Sequence, residues 1–170
     1  MQLYLLRHGI AEEGRVGTSD VDRELTSEGR RKLRETLRAL QNAEVNPSLI
    51  VSSTLTRALQ TAEIARSVLK TKAAVLRTKA LTPNAPLEPV WDEVRAHRGE
   101  PELMLVGHEP QFSNLAAYLL GARDLRVDFK KGAVLRLDLE AFGPQPRGTL
   151  RWFFLARFAN LSARDAAKPD

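Results

Sequence analysis

Cysteine is absent from all 170 residues. Disulfides, a thiolate nucleophile and cysteine-ligated zinc are therefore excluded. Histidine is nearly as scarce, with three in the chain. Two of them stand after apolar runs with no carboxylate cluster nearby, so no metal and no other cofactor is expected. Aromatics make up 6% of the chain. None is interleaved with the basic cluster Arg30, Arg31, Lys32, Arg34 and Arg38, although binders of single strands need rings on which to stack bases. That cluster also carries Glu28 and Glu35 and reads as a solvated helix face, so no nucleic-acid partner is expected. Long apolar runs are missing too. The stretch near the amino terminus is too short for a membrane span or a signal sequence and has no basic residues ahead of it. A soluble protein in the cytoplasm, without a membrane partner, is the expectation. No Walker-type glycine-rich loop occurs, and the glycines in the turns stand singly.

What remains is the profile of one globular domain. Hydrophobic residues make up 43% and charged residues 28%, with a net charge of +5. A domain of this length buries about 70% of its unfolded surface. Residues 1–158 are expected to form it. The stretch 159–170 lacks an apolar pattern and is expected to be a frayed or disordered tail.

Leu3-Tyr4-Leu5-Leu6 is short, apolar and closed by Arg7-His8-Gly9. Such a run reads as a strand buried on both faces of a parallel sheet, its charged residues at the carboxyl end where ligand crevices form. Residues 10–24 are polar and read as a loop over that rim. Thr26 or Ser27 caps a helix whose leucines repeat at Leu33, Leu37 and Leu40 and which ends near Gln41. Leu49-Ile50-Val51 is a second strand, and Ser52, Ser53 and Thr54 are candidate caps for the next helix. That helix carries Leu55, Leu59, Ala62, Ala65 and Leu69 on one face, so Arg57 lies in its first turn and leans back toward the His8 rim. Ala73 to Leu76 is a weaker strand, and 81–89 holds three prolines and is expected to be irregular or a helix approach. A helix is expected over 90–98. Leu103 to Val106 repeats the opening pattern, ending in Gly107-His108-Glu109-Pro110, and Pro110 starts a helix running to Gly121. Residues 133–139 and 150–158 read as a hairpin. The expected fold is a three-layer α/β/α sandwich with a mostly parallel central sheet and an antiparallel edge hairpin.

Arg7, His8, Arg57 and His108 thus converge on one rim. Phosphoryl transfer needs a nucleophile in line with the leaving group and cations around the equatorial oxygens. An unprotonated imidazole supplies the first and guanidinium groups the second. His108 has two readings, a cation that neutralises phosphate or a neutral donor.

LLRHG, SSTLTRALQTA and VGHEP, in that order, resemble the motifs of the histidine phosphatase (phosphoglycerate-mutase-like) superfamily. The short chain and the LTPNAP segment resemble its compact branch, the SixA-type phosphohistidine phosphatases. The resemblance implies that His8 is the phosphorylated nucleophile and that Arg7, Arg57 and His108 form the phosphate pocket. It also implies that Arg23, in DRELT, lies near the site as a substrate-binding residue. The chain departs from the wider superfamily at the general acid. Where a glutamate is sought stand Thr82 and Asn84, with Glu88 and Glu109 as other candidates. An alkoxide leaving group suffers without an acid, whereas a phosphorylated histidine departs as neutral imidazole. The expected activity is therefore a metal-independent phosphatase acting on phosphohistidine in a protein partner. The alternatives are a phosphatase of small phosphate esters and a non-catalytic module binding phosphate or nucleic acid.

Overall fold

The computed structural model describes residues 1–14, 19–122 and 124–159. Ten regular elements alternate along the chain: β1 (Gln2–Arg7), α1 (Ser27–Asn42), β2 (Leu49–Ser53), α2 (Thr56–Leu69), β3 (Ala74–Thr78), α3 (Leu87–Ala96), β4 (Glu102–Gly107), α4 (Gln111–Leu119), β5 (Val134–Ala141) and β6 (Arg147–Phe154). The strands form one sheet in the order β3-β2-β4-β1-β5-β6. Its first four strands run parallel, and β1-β5-β6 are antiparallel. The expected sandwich and hairpin are both present.

Side-chain alternation in the central strands explains the three layers. Leu3 and Leu5 of β1, with Leu103 and Leu105 of β4, join Val90, Val94, Phe112 and Leu115 in one core. Tyr4 and Leu6, with Met104 and Val106, point the other way and meet Leu33, Leu37, Ala62 and Ala65. Helices α3 and α4 thus cover one face of the sheet and α1 and α2 the other. Because β1 and β4 feed both cores, their runs are apolar without a break. In β5, Leu135, Leu137 and Leu139 are buried, and Arg136 and Asp138 keep partial exposure.

Local chemistry moves several boundaries. Thr26 caps α1 as expected, its Oγ1 accepting from Gly29 N at 3.0 Å. Gly29 lets this helix press on the β1 exit, since a Cβ there would stand 2.1 Å from the Ile10 carbonyl oxygen. Neither Ser52 nor Ser53 caps α2; both complete β2, and Leu55 is the N-cap, without a side-chain bond. Pro89 sits inside α3, in the first turn, where a missing N–H costs no helical hydrogen bond. Helix α4 stops at Leu119 rather than Gly121, because Gly121 has turned to φ 64°. Ala159, grouped with the tail in the sequence, is buried behind a last 3₁₀ turn, Ala156–Phe158. The remainder of the expected tail, 160–170, lies outside the described residues. No helix among the described residues is long and apolar enough to cross a membrane.

Candidate active site

Register brings the two imidazoles together. Arg7 pairs with Gly107 across the parallel β1–β4 ladder. His8 and His108 are therefore the next residue on each strand, and His8 N still donates to Gly107 O at 3.0 Å. Their rings lie 4.9 Å apart between centroids and are inclined at 54°. They are 6% and 2% exposed.

The His8 ring nitrogen Nδ1 is 2.7 Å from the carbonyl oxygen of Gly9. A carbonyl only accepts, so Nδ1 carries the hydrogen and Nε2 keeps its lone pair. Burial, helped by repulsion from Arg57, Arg7 and Lys131, overcomes the Gly9 bond and lowers the His8 pKa to about 3. The ring is neutral at pH 7 and is a competent nucleophile in electronic terms.

His108 is held differently. Its Nε2 is 3.0 Å from Ser53 Oγ at the end of β2. Ser53 Oγ also accepts from Leu55 N at 3.3 Å. The serine hydroxyl hydrogen is best used on His108 Nε2, which puts the ring proton on Nδ1. That nitrogen is buried and has no protein partner. Burial first, then the neighbouring His8 and Arg57, lowers the His108 pKa to about 3. Of the two sequence readings, this favours a neutral donor over a cation.

Arg57 occupies the first turn of α2, as the spacing predicts, and is 4% exposed. Its guanidinium is already engaged. Nη1 donates to Asp20 O at 2.7 Å, and Nη2 lies 3.0 Å from Asp20 Oδ2. The same carboxylate takes Arg23 Nη1 on Oδ1 at 2.8 Å, and Arg23 Nε donates to Glu12 O at 2.6 Å. Arg23 is thus joined to the site through Asp20. The bond to Arg23, aided by Arg57, holds the Asp20 carboxyl below its usual range, so it is ionised. Arg7 is half-buried; Nη1 donates to Phe129 O, and Nε is buried without a partner. The exit of β1 is fastened to α2 by Gly9 N, which donates to Thr61 Oγ1 at 3.2 Å.

Asp20 and Ser53 are the contributions that sequence reasoning missed. The signal for Asp20 is the Asp-x-x-Arg spacing to Arg23 in a short polar turn that Ser19 opens. The candidate acids lie elsewhere. Glu109 accepts from Ser113 N at 3.0 Å and from its hydroxyl. Thr82 donates to Lys79 O at 2.8 Å, and Asn84 and Glu88 are exposed. Among the described residues no carboxyl group is hydrogen-bonded to either imidazole, and no group of three His, Cys, Asp or Glu side chains could hold a metal ion.

Comparisons with known proteins bear on the family and the fold. Residues 3–81 match the histidine phosphatase superfamily (branch 1). An uncharacterized protein of Picosynechococcus sp. is 33% identical over 141 residues, covering 81% of this chain and 84% of that protein. The structure of the protein histidine phosphatase SixA complexed with tungstate superposes with a TM-score of 0.83 at 26% identity, covering 92% of this chain and 98% of that one. The alpha-ribazole phosphatase from Shigella flexneri shares the fold at 19% identity and a TM-score of 0.70, over 92% of this chain and 97% of its own.

Proposed function

The chain belongs to the histidine phosphatase superfamily and is a phosphatase, and from that premise we propose that it works through phosphorylated His8 on a phosphohistidine substrate carried by a protein. The observation that carries the proposal is the buried His8 ring, its Nδ1–H committed to Gly9 and two guanidinium groups beside it. The Nε2 lone pair attacks phosphorus, the bond from phosphorus to the leaving nitrogen breaks, and the leaving imidazole departs neutral after protonation at its other nitrogen. Water then attacks the phosphorus of the phosphorylated ring. The His8 Nε2–phosphorus bond breaks with its electron pair returning to Nε2, and inorganic phosphate leaves carrying the oxygen of that water, whose two protons go to the phosphate or to solvent.

Arg7 and Arg57 hold the equatorial oxygens in this scheme, and the His108 Nδ1–H donates to a third. Arg57 reaches the phosphoryl group by exchanging Asp20 for it, and Arg23 follows Asp20. An exposed carboxylate is a weak competitor for a dianion, so the exchange favours substrate.

The protein substrate rests on the leaving group. With Glu109 committed to Ser113 and Asp20 ionised, neither of these carboxyl groups is set to protonate an alkoxide. A leaving imidazole has no such need. The SixA neighbour is itself a protein histidine phosphatase. The test is turnover of a phosphohistidine-bearing carrier protein beside aryl and alkyl phosphate esters. The expected order of kcat/KM is phosphohistidine, then aryl, then alkyl phosphate. A preference for an alkyl ester would favour the small-molecule reading, for which the alpha-ribazole phosphatase is the structural precedent.

A further inference from the structure

A cavity of about 500 Å³ opens beside Arg7 and is lined by Ile10, Lys32, Lys130, Lys131 and Arg157. Its cations come from separate places: the end of β1, the first half of α1, the turn before β5 and the last 3₁₀ turn. The turn before β5 is pinned to the candidate site, because Gly132 N donates to both Arg7 O at 3.2 Å and His8 O at 3.1 Å. The acidic residue on the cavity wall, Glu35, lies 2.6 Å from Arg31 Nη1. Lys32 and Lys130 sit 2.8 Å from Glu28 and Asp128, in exposed pairs that exchange at little cost. Lys131 and Arg157 have no carboxylate partner among the described residues.

We propose that this cleft is a second substrate subsite, which seats acidic side chains flanking the phosphorylated residue of a polypeptide. The proposal rests on the phosphatase reading above and adds the charge of the substrate to it. Arg7 belongs to both hollows, so an anion in the cleft is next to the phosphoryl group held by the same guanidinium. The cleft is walled by the ends of long exposed side chains, and a small metabolite there would stay solvated on its outer side. An extended segment advances about 3.3 Å per residue and reaches several of these cations in turn. Charge complementarity then raises the encounter rate and fixes which way the segment lies.

The test compares three substrates on the full chain: a phosphohistidine peptide with Asp and Glu flanks, the same peptide with Gln flanks, and para-nitrophenyl phosphate. Each is measured on the parent and on the double variant Lys130→Glu/Arg157→Glu. The parent is expected to prefer the acidic peptide by about tenfold or more in kcat/KM, with the preference shrinking as salt is raised. The variant is expected to lose that preference while its aryl phosphate turnover stays within about twofold, which also shows that it folds. Equal rates on the two peptides, with aryl phosphate still hydrolysed, overturn the subsite and leave the phosphatase reading standing. No turnover of any substrate by the parent overturns both. If the charge reversal slows para-nitrophenyl phosphate as much as the acidic peptide, the cleft serves the phosphoryl group alone and the flanking-residue occupant is overturned.

Discussion

Ser53 Oγ stands 3.0 Å from His108 Nε2, bridging the carboxyl ends of β2 and β4 at the centre of the sheet. The contact joins two strands that the chain makes far apart and fixes which nitrogen of His108 is protonated. Removing the hydroxyl lets Nε2 take the proton and turns a donor toward phosphate into an acceptor. Ser53→Ala is expected to lower kcat by roughly 10- to 100-fold, in proportion to losing one buried hydrogen bond of about 1–3 kcal/mol. KM should change much less, and Ser53→Thr should restore most of the rate. A purely structural serine would show an altered melting temperature with kcat intact, so steady-state kinetics and thermal unfolding together separate the two.

Asp20 competes with the substrate for Arg57. Its side chain is 59% exposed, whereas that of Arg57 is 5% exposed, so the carboxylate is the mobile member of the pair. Asp20→Asn keeps the size and removes the charge. The variant is expected to bind tungstate or inorganic phosphate about tenfold more tightly, equivalent to about 1.4 kcal/mol. Isothermal titration of the oxyanion checks this, and an unchanged or weaker affinity would mean that Asp20 orders Arg57 for the ligand instead of blocking it.

Two neutral buried imidazoles set the acid stability. Folding lowers both pKa values from 6.5 to about 3, so below pH 6.5 the unfolded chain binds protons that the folded one refuses. The stability contributed by their neutral state is complete above pH 6.5 and is lost as pH falls toward 3. Each histidine adds a slope of at most about 1.4 kcal/mol per pH unit in that window. Urea unfolding between pH 7.5 and 4.5 should show stability falling from about pH 6.5 downward, before most carboxylates titrate. The double variant His8→Asn/His108→Asn should flatten that fall.

The site's frame was legible because it is built on the strongest local signals. Leu3 to Leu6 and Leu103 to Val106 are unbroken apolar runs, and parallel pairing sets the residues that follow them side by side. Arg57 followed from its position in a helix that starts where β2 ends, and the three motifs around these residues matched one superfamily. The rest depends on contacts that local patterns do not encode. Asp20 meets Arg57 across 37 residues of sequence, through a contact that no local pattern announces. Ser53 reads as a helix cap because serine is favoured there; here the strand runs two residues further, and its hydroxyl turns to His108. Lys131 lies in a stretch with no periodic pattern, and its nearness to His8 comes from the Gly132 hydrogen bonds to Arg7 and His8.

Trapping the phosphorylated enzyme tests the central assignment most directly. The protein is mixed briefly with a phosphohistidine or aryl phosphate substrate, quenched under alkaline conditions that preserve phosphohistidine, and mapped by mass spectrometry. The account predicts one added phosphoryl group, located on His8, absent from His8→Ala, and an inactive His8→Ala protein that still folds. A phosphoryl group on any other residue, or turnover undiminished in His8→Ala, would contradict it.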